Sequence, residues 1–157
     1  MNLQAQFQDS RGNPVLVNGQ TVMAVDRIPI QRGIVEIEFT SFIPGQGVQL
    51  DAGKKGKIWL SDGSTTVRVR ILAHSSLPNL ASHKVACPEG ILSVYNVYEL
   101  RYTSGQPYHS MWSGNAGMIV EEVAPFVRKY RCSQGPGDFS PGDLEFTLRW
   151  APTSKNR

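Results

Sequence analysis

Long apolar runs are missing from this chain of 157 residues. No stretch approaches the roughly 18 consecutive apolar residues that a membrane-spanning helix requires, so we expect no transmembrane segment. The first residues, Met1–Phe7, have neither the basic region nor the apolar core of a secretory signal peptide. Two localisations stay open. The chain acts in the cytoplasm or in a virion, or it belongs to an extracytoplasmic or surface assembly and its leader has been removed.

Residues that bind metals or act as nucleophiles are also scarce. The two cysteines, Cys87 and Cys132, do not have the spacing of a zinc site. The three histidines, His74, His83 and His109, do not stand at the short intervals that bring two imidazoles to one ion. The nucleophile motif G-x-S-x-G is absent. We therefore expect no cofactor and no metal, and a small metal-dependent or hydrolytic enzyme is kept only as an alternative.

The cysteine pair has two states that the sequence does not separate. A Cys87–Cys132 disulfide would close a loop of about 45 residues and stabilise the fold by roughly 4 kcal/mol. As free thiols, the same residues would behave as small buried hydrophobic groups.

A strong net charge of either sign is absent as well. Sixteen Lys and Arg against thirteen Asp and Glu give a formal charge of +3. The basic clusters at 54–57 and 128–131 are short, and acidic residues are scattered along the chain. This balance argues against nucleic acid as the partner. A nucleic-acid-binding β-barrel that uses Arg68, Arg70 and the 128–131 cluster is kept as a further alternative.

Alternation of apolar and polar residues is what the chain has in quantity. Residues 33–42 are the clearest case, because Val35, Ile37 and Phe39 fall on one face of a strand and charged residues fall on the other. Residues 144–150 alternate in the same way. Neither pattern fits a helix, so both segments are predicted to be half-buried strands.

Turn signals separate these strands. Asn18-Gly19 and Asp62-Gly63 favour tight hairpins, and residues 74–82 are predicted to form a loop. The alternation of apolar and polar residues from Leu3 to Phe7 predicts a further strand. Roughly nine or ten strands with regularly spaced turns are typical of an antiparallel sandwich. We predict one all-β domain over residues 1–151, a two-sheet sandwich of immunoglobulin-like or jelly-roll type, with a closed β-barrel as the alternative. Residues 152–157 are predicted to form a polar tail.

One segment, residues 102–117, is rich in aromatic and amide groups between two predicted strands. A connection of that length is uncommon without a function. Exposed aromatic rings with hydrogen-bonding groups at their rim suit a saccharide or a protein surface. The alternative is that Met111 and Trp112 fold back and cap the end of the core. The residues predicted to bind the ligand are Tyr108, His109, Trp112 and Asn115.

These features favour a binding role over a reaction. The function expected from the sequence is a non-catalytic binding or assembly module, for example in adhesion. It would engage a protein or glycan through this loop or through a sheet edge. A homo-oligomer is left open. Because sandwich folds carry many functions, the site itself has to decide between these partners.

Overall fold

The computed structural model describes residues 2–73 and 79–153. Within these residues the chain forms one short helix, α1 (Leu3–Asp9), and fourteen strands. The strands are β1 (Val15–Val17), β2 (Gln20–Val22), β3 (Asp26–Pro29), β4 (Arg32–Phe42), β5 (Gly47–Asp51), β6 (Lys57–Trp59), β7 (Thr65–Thr66), β8 (Arg68–Leu72), β9 (Leu80–Ala86), β10 (Ile91–Arg101), β11 (Pro107–Ser110), β12 (Gly117–Ala124), β13 (Val127–Ser133) and β14 (Leu144–Pro152).

Two antiparallel sheets make up most of the molecule. The seven-stranded sheet has the order β12-β13-β14-β4-β9-β6-β7. The five-stranded sheet has the order β11-β10-β5-β8, and β3 also pairs with β10, while β1 and β2 form a separate hairpin. The sheets pack as a sandwich, which confirms the predicted fold class. The closed-barrel alternative is not found among the described residues.

The core lies between the two sheets. Val35, Ile37 and Phe39 of β4 are buried on its inner face, as their alternation predicts. Phe39 meets Phe146 of β14 edge to face with ring centroids 6.0 Å apart. Tyr130 of β13 stacks on the same Phe146 ring at 4.5 Å. The five-stranded sheet covers this cluster with buried residues that include Ile28, Val48, Leu50, Leu92 and Val94.

Both predicted hairpin turns are present. Asn18 and Gly19 have φ of 51° and 80° between β1 and β2, the positive values that a type I′ turn requires. Gly63, with φ of 88°, lies in the turn between β6 and β7.

The strand predicted over residues 66–72 is divided at Val67. β7 pairs with β6 in the large sheet, whereas β8 pairs with β5 in the small one. Val67 lies where the chain passes between the sheets and is 40% exposed, so its predicted inward orientation is wrong. The alternation of side chains along the chain does not reveal such a change of sheet, because its period of two continues on both sides of Val67.

The strand predicted near the N-terminus is a helix. The Asn2 side chain accepts a hydrogen bond from the backbone of Ala5 at 2.9 Å, which caps α1. Leu3 and Phe7 are buried together against Val22. Residues four apart share a face in a helix and in a strand alike, so the pattern fits both structures. The cap and the apolar surface beside it select the helix.

Two further boundaries differ from expectation. Residues 80–82 of the predicted loop belong to β9, which begins at Leu80, and residues 74–78 of that loop, His74 among them, lie outside the described residues. The predicted tail begins inside β14, because Pro152 still pairs with Gly33 and Thr153 donates to the Arg32 carbonyl at 2.9 Å. Across the described ranges, no helix has the length and hydropathy needed to cross a membrane.

A buried polar cluster joins the two sheets. The Asp26 carboxylate of β3 accepts a hydrogen bond from the Tyr130 hydroxyl at 2.6 Å and from the Arg128 guanidinium at 2.9 Å. Asp26 is only 4% exposed and Tyr130 is fully buried. Burial, reinforced by the Asp26 charge, raises the pKa of Tyr130 above its usual range. The cluster therefore fixes β3 of one sheet to β13 of the other.

The cysteines are free thiols, and both are buried. Of the two states that the sequence left open, the structure therefore holds the unbridged pair. Burial raises the pKa of Cys87 to about 11, and burial likewise raises the pKa of Cys132.

We expect alkaline pH to weaken the fold through these groups. The folded state keeps the Cys87 proton to higher pH than the unfolded chain does. Its contribution is therefore complete below the unfolded pKa of 9.0 and is lost as the pH rises towards about 11. The loss amounts to about 2 kcal/mol, measurable by urea unfolding at both ends of this window. Cys87→Ala should show a smaller alkaline loss than the wild type, and an equal loss would exclude Cys87 as its source.

Candidate functional site

A cleft of about 550 Å³ opens between α1 with its following turn, the segment after β2, and Trp112. Ligand pockets in proteins usually measure roughly 300–1,000 Å³, so the cleft has the size of a binding site. Its walls are formed by Gln4, Phe7, Gln8, Arg11, Gly12, Asn13, Pro14, Met23, Ala24, Val25, Arg27 and Trp112.

The helical wall of the cleft is tied to the loop after β11. The Gln4 amide donates to the Gly114 carbonyl at 2.8 Å, and the Gln4 side chain accepts from the Gly114 amide at 3.0 Å. The Leu3 amide donates to the Asn115 side chain at 3.1 Å, and that side chain donates in turn to the Gly137 carbonyl at 2.7 Å. These bonds fix the first turn of α1 in place.

Trp112 forms another wall of the cleft. Its indole N–H donates to the Ala24 carbonyl at 3.0 Å. Its ring lies against Tyr95 with centroids 4.7 Å apart, and 43% of the residue stays exposed. Its φ of +60° is uncommon for a bulky residue. Trp112 is therefore held in one orientation while much of its surface faces solvent.

The outer face of the five-stranded sheet continues from Trp112. Tyr95, Gln49 and Arg70 stand side by side on β10, β5 and β8. The Gln49 amide donates to the Tyr95 oxygen at 2.6 Å, and the Arg70 guanidinium donates to the Gln49 carbonyl oxygen at 3.0 Å. This chain of hydrogen bonds fixes the ring on which Trp112 rests.

The electrostatics of the cleft are one-sided. Arg11 and Arg27 line it, and no acidic side chain is among the described residues of its walls. In the described part of the chain, neither guanidinium takes part in an ion pair. The cleft therefore carries positive charge that the protein itself does not neutralise.

The four predicted binding residues separate into different places. Trp112 lines the cleft, whereas Tyr108, His109 and Asn115 do not. Asn115 lies behind the helical wall, with its amide oxygen and nitrogen both in the bonds to α1 and Gly137 described above. That these four residues bind a ligand stays a prediction.

Tyr108 and His109 belong to β11, a strand inside the predicted loop. Tyr108 stacks on Tyr102 with ring centroids 4.3 Å apart. His109 lies opposite Glu99 on β10, and its Nε2 atom is buried with no hydrogen-bond partner within the described ranges. These two residues form an edge of the five-stranded sheet.

Sequence reasoning missed most of the cleft. Arg11 follows α1 in a turn, and Arg27 lies on the short strand β3. Nothing in their neighbourhoods along the chain links them to each other or to Trp112. The one local signal was Asn2, a residue type that favours the N-cap of the helix that forms a wall, because the i,i+4 pair of Leu3 and Phe7 fits a strand equally well.

Chemistry at the cleft is limited by its side chains. No carboxylate, imidazole, thiol or hydroxyl stands among the described residues that line the cleft. Within residues 2–73 and 79–153, no cluster of three or more His, Cys, Asp or Glu side chains suits a metal ion. What the cleft offers is apolar surface, amide groups and two guanidinium groups.

Comparison with known proteins gives no match that would indicate a family. No protein-family model, no curated protein and no solved structure matches the chain.

Proposed function

We propose that this chain is a non-catalytic binding module that engages a protein partner through the cleft between α1 and Trp112. The composition of the cleft carries the proposal. It joins a fixed, exposed tryptophan to an apolar floor, and the described residues that line it supply no group for general acid–base or nucleophilic catalysis.

The shape of the apolar surface favours a protein partner over a glycan. Phe7, Pro14, Met23 and Val25 surround the cleft together with Trp112. A bulky apolar side chain gains from contact on several sides, because apolar area is removed from water on each. A saccharide stacks on one ring and needs polar groups around its edge. The glycan is therefore the second candidate.

The support of Trp112 also favours binding. An anchor residue contributes most when its conformation is fixed before the partner arrives, since less entropy is then lost on association. The bond to Ala24 and the contact with Tyr95 provide that fixation. Tryptophan is among the residues that most often dominate the energy of an interface.

Replacing Trp112 by alanine is expected to weaken partner binding at least tenfold. It should lower the free energy of unfolding by no more than about 2 kcal/mol, because the residue is already 43% exposed. Peptides selected from a displayed random library on the immobilised chain serve as the probe for binding, and urea unfolding of the variant alone gives the stability.

Trp59→Ala is the matched control, since Trp59 lies on β6 in the other sheet beside Lys84 and does not line the cleft. It should leave peptide binding unchanged. A stability loss of roughly 3–5 kcal/mol for Trp112→Ala would show instead that the residue caps the core. Selection of no cleft-dependent peptide, together with binding of oligosaccharides, would favour the glycan.

A further inference from the structure

We infer that the partner segment is acidic as well as apolar. A large apolar side chain occupies the cleft, and a neighbouring carboxylate binds Arg11 and Arg27. This inference rests on the proposed function and specifies the chemistry of the ligand that the same site accepts.

The two guanidinium groups are available for a ligand. Arg11 and Arg27 are exposed and line the same cleft, although they come from different elements. Four arginines of the described residues pair with carboxylates, among them Arg68 with Asp51 at 2.8 Å and Arg128 with Asp26 at 2.9 Å. In the described part of the chain, Arg11 and Arg27 have no such acidic partner.

One more guanidinium without an acidic partner among the described residues, that of Arg70, lies beyond the cleft on the outer face of the five-stranded sheet. Arg27, Ser93, Asp51 and Arg68 stand in one row across β3, β10, β5 and β8. This row spans roughly 14 Å at the usual spacing of neighbouring strands. Arg70 follows two residues after Arg68 on the same face, and its partner is the neutral Gln49 side chain. An extended acidic segment that leaves the cleft would therefore meet a further uncompensated charge.

Charge and apolarity together select the ligand class. A guanidinium donates two parallel hydrogen bonds to a carboxylate, and such charge-assisted bonds are stronger than neutral ones. A nucleic acid would satisfy the charges but not the space beside Phe7 and Met23, which suits an aliphatic or aromatic side chain. A peptide with acidic and large apolar residues satisfies both.

The test compares two peptides that differ only in charge, acetyl-Asp-Phe-Leu-Asp-amide and acetyl-Asn-Phe-Leu-Asn-amide. Each is titrated into the ¹⁵N-labelled full chain, and the shifts of the Trp112 indole and of the Met23 and Ala24 amides are followed. We expect the acidic peptide to bind at least tenfold more tightly at low salt. Added salt should reduce this difference, because it screens exposed charges.

Arg11→Gln and Arg27→Gln should each weaken the binding of the acidic peptide. The double variant should bind both peptides with equal affinity. Arg149→Gln is the matched control, because it removes one exposed arginine from the other sheet, where its partner is Glu38 at 3.3 Å. It should leave both affinities unchanged.

The outcomes separate the inference from the proposed function. Equal binding of both peptides to the wild type, lost in Trp112→Ala, would overturn the acidic ligand and leave the binding module standing. Binding of neither peptide would count against both. Tighter binding of an oligothymidylate than of the acidic peptide, abolished in the double arginine variant, would replace the acidic peptide with nucleic acid as the ligand.

Discussion

Replacing Phe39 by alanine is expected to lower the free energy of unfolding by about 3–5 kcal/mol, because it leaves a cavity in the core. Phe39 is 7% exposed and meets Phe146 edge to face within the core between the two sheets. Nearby strands cannot collapse into the space without breaking their own pairing, since β4 lies between β14 and β9. Urea unfolding of the variant measures the loss.

The neighbouring residue provides the control. Glu38 points to the opposite face of β4, where its carboxylate makes an exposed ion pair with Arg149 at 3.3 Å. Exposed pairs contribute little, so Glu38→Ala should change the stability by no more than about 0.5 kcal/mol. Equal losses at the two positions would contradict the assigned face of the strand.

Replacing Asp26 by alanine is expected to cost a similar amount, about 3–5 kcal/mol, for an electrostatic reason. The substitution leaves the Arg128 guanidinium, whose side chain is only 17% exposed, without its buried partner. It also leaves the buried Tyr130 hydroxyl without an acceptor. Removing the buried partner of a largely buried charge is far more costly than removing an exposed partner.

Arg128 has a second acidic neighbour, Glu122, so the loss of a buried partner can be compared with the loss of an exposed one. Glu122 lies 3.3 Å from the same guanidinium, but its side chain is 59% exposed. Glu122→Ala should therefore reduce stability by less than about 1 kcal/mol. Tyr130→Phe removes one hydrogen bond of the cluster, and its loss of stability should lie between those of Asp26→Ala and Glu122→Ala. If Asp26→Ala and Glu122→Ala were equally mild in urea unfolding, the cluster would not hold the sheets together.

The candidate site was predictable only in part. Aromatic content pointed to Trp112, and the structure does place that residue on a cleft wall. The same reasoning grouped it with Tyr108 and Asn115, which lie on a sheet edge and behind the helix. Composition identifies residue types suited to binding, but it does not identify which surface they share. Arg11 and Arg27 carried no local signal at all.

By itself, the sequence determined the all-β class, the buried face of β4 and β14, and the Asn18-Gly19 and Asp62-Gly63 turns. These features depend on the period of the strand and on backbone preferences, which act between residues a few positions apart. Tertiary structure decided between helix and strand at the N-terminus, where the local pattern fits both, and it alone decided the change of sheet at Val67 and the cleft. The reason is distance along the chain: the bond from Trp112 to Ala24 joins residues 88 apart, and the contact of Arg128 with Asp26 joins residues 102 apart. Such contacts follow from how the two sheets pack, and no local pattern specifies that packing.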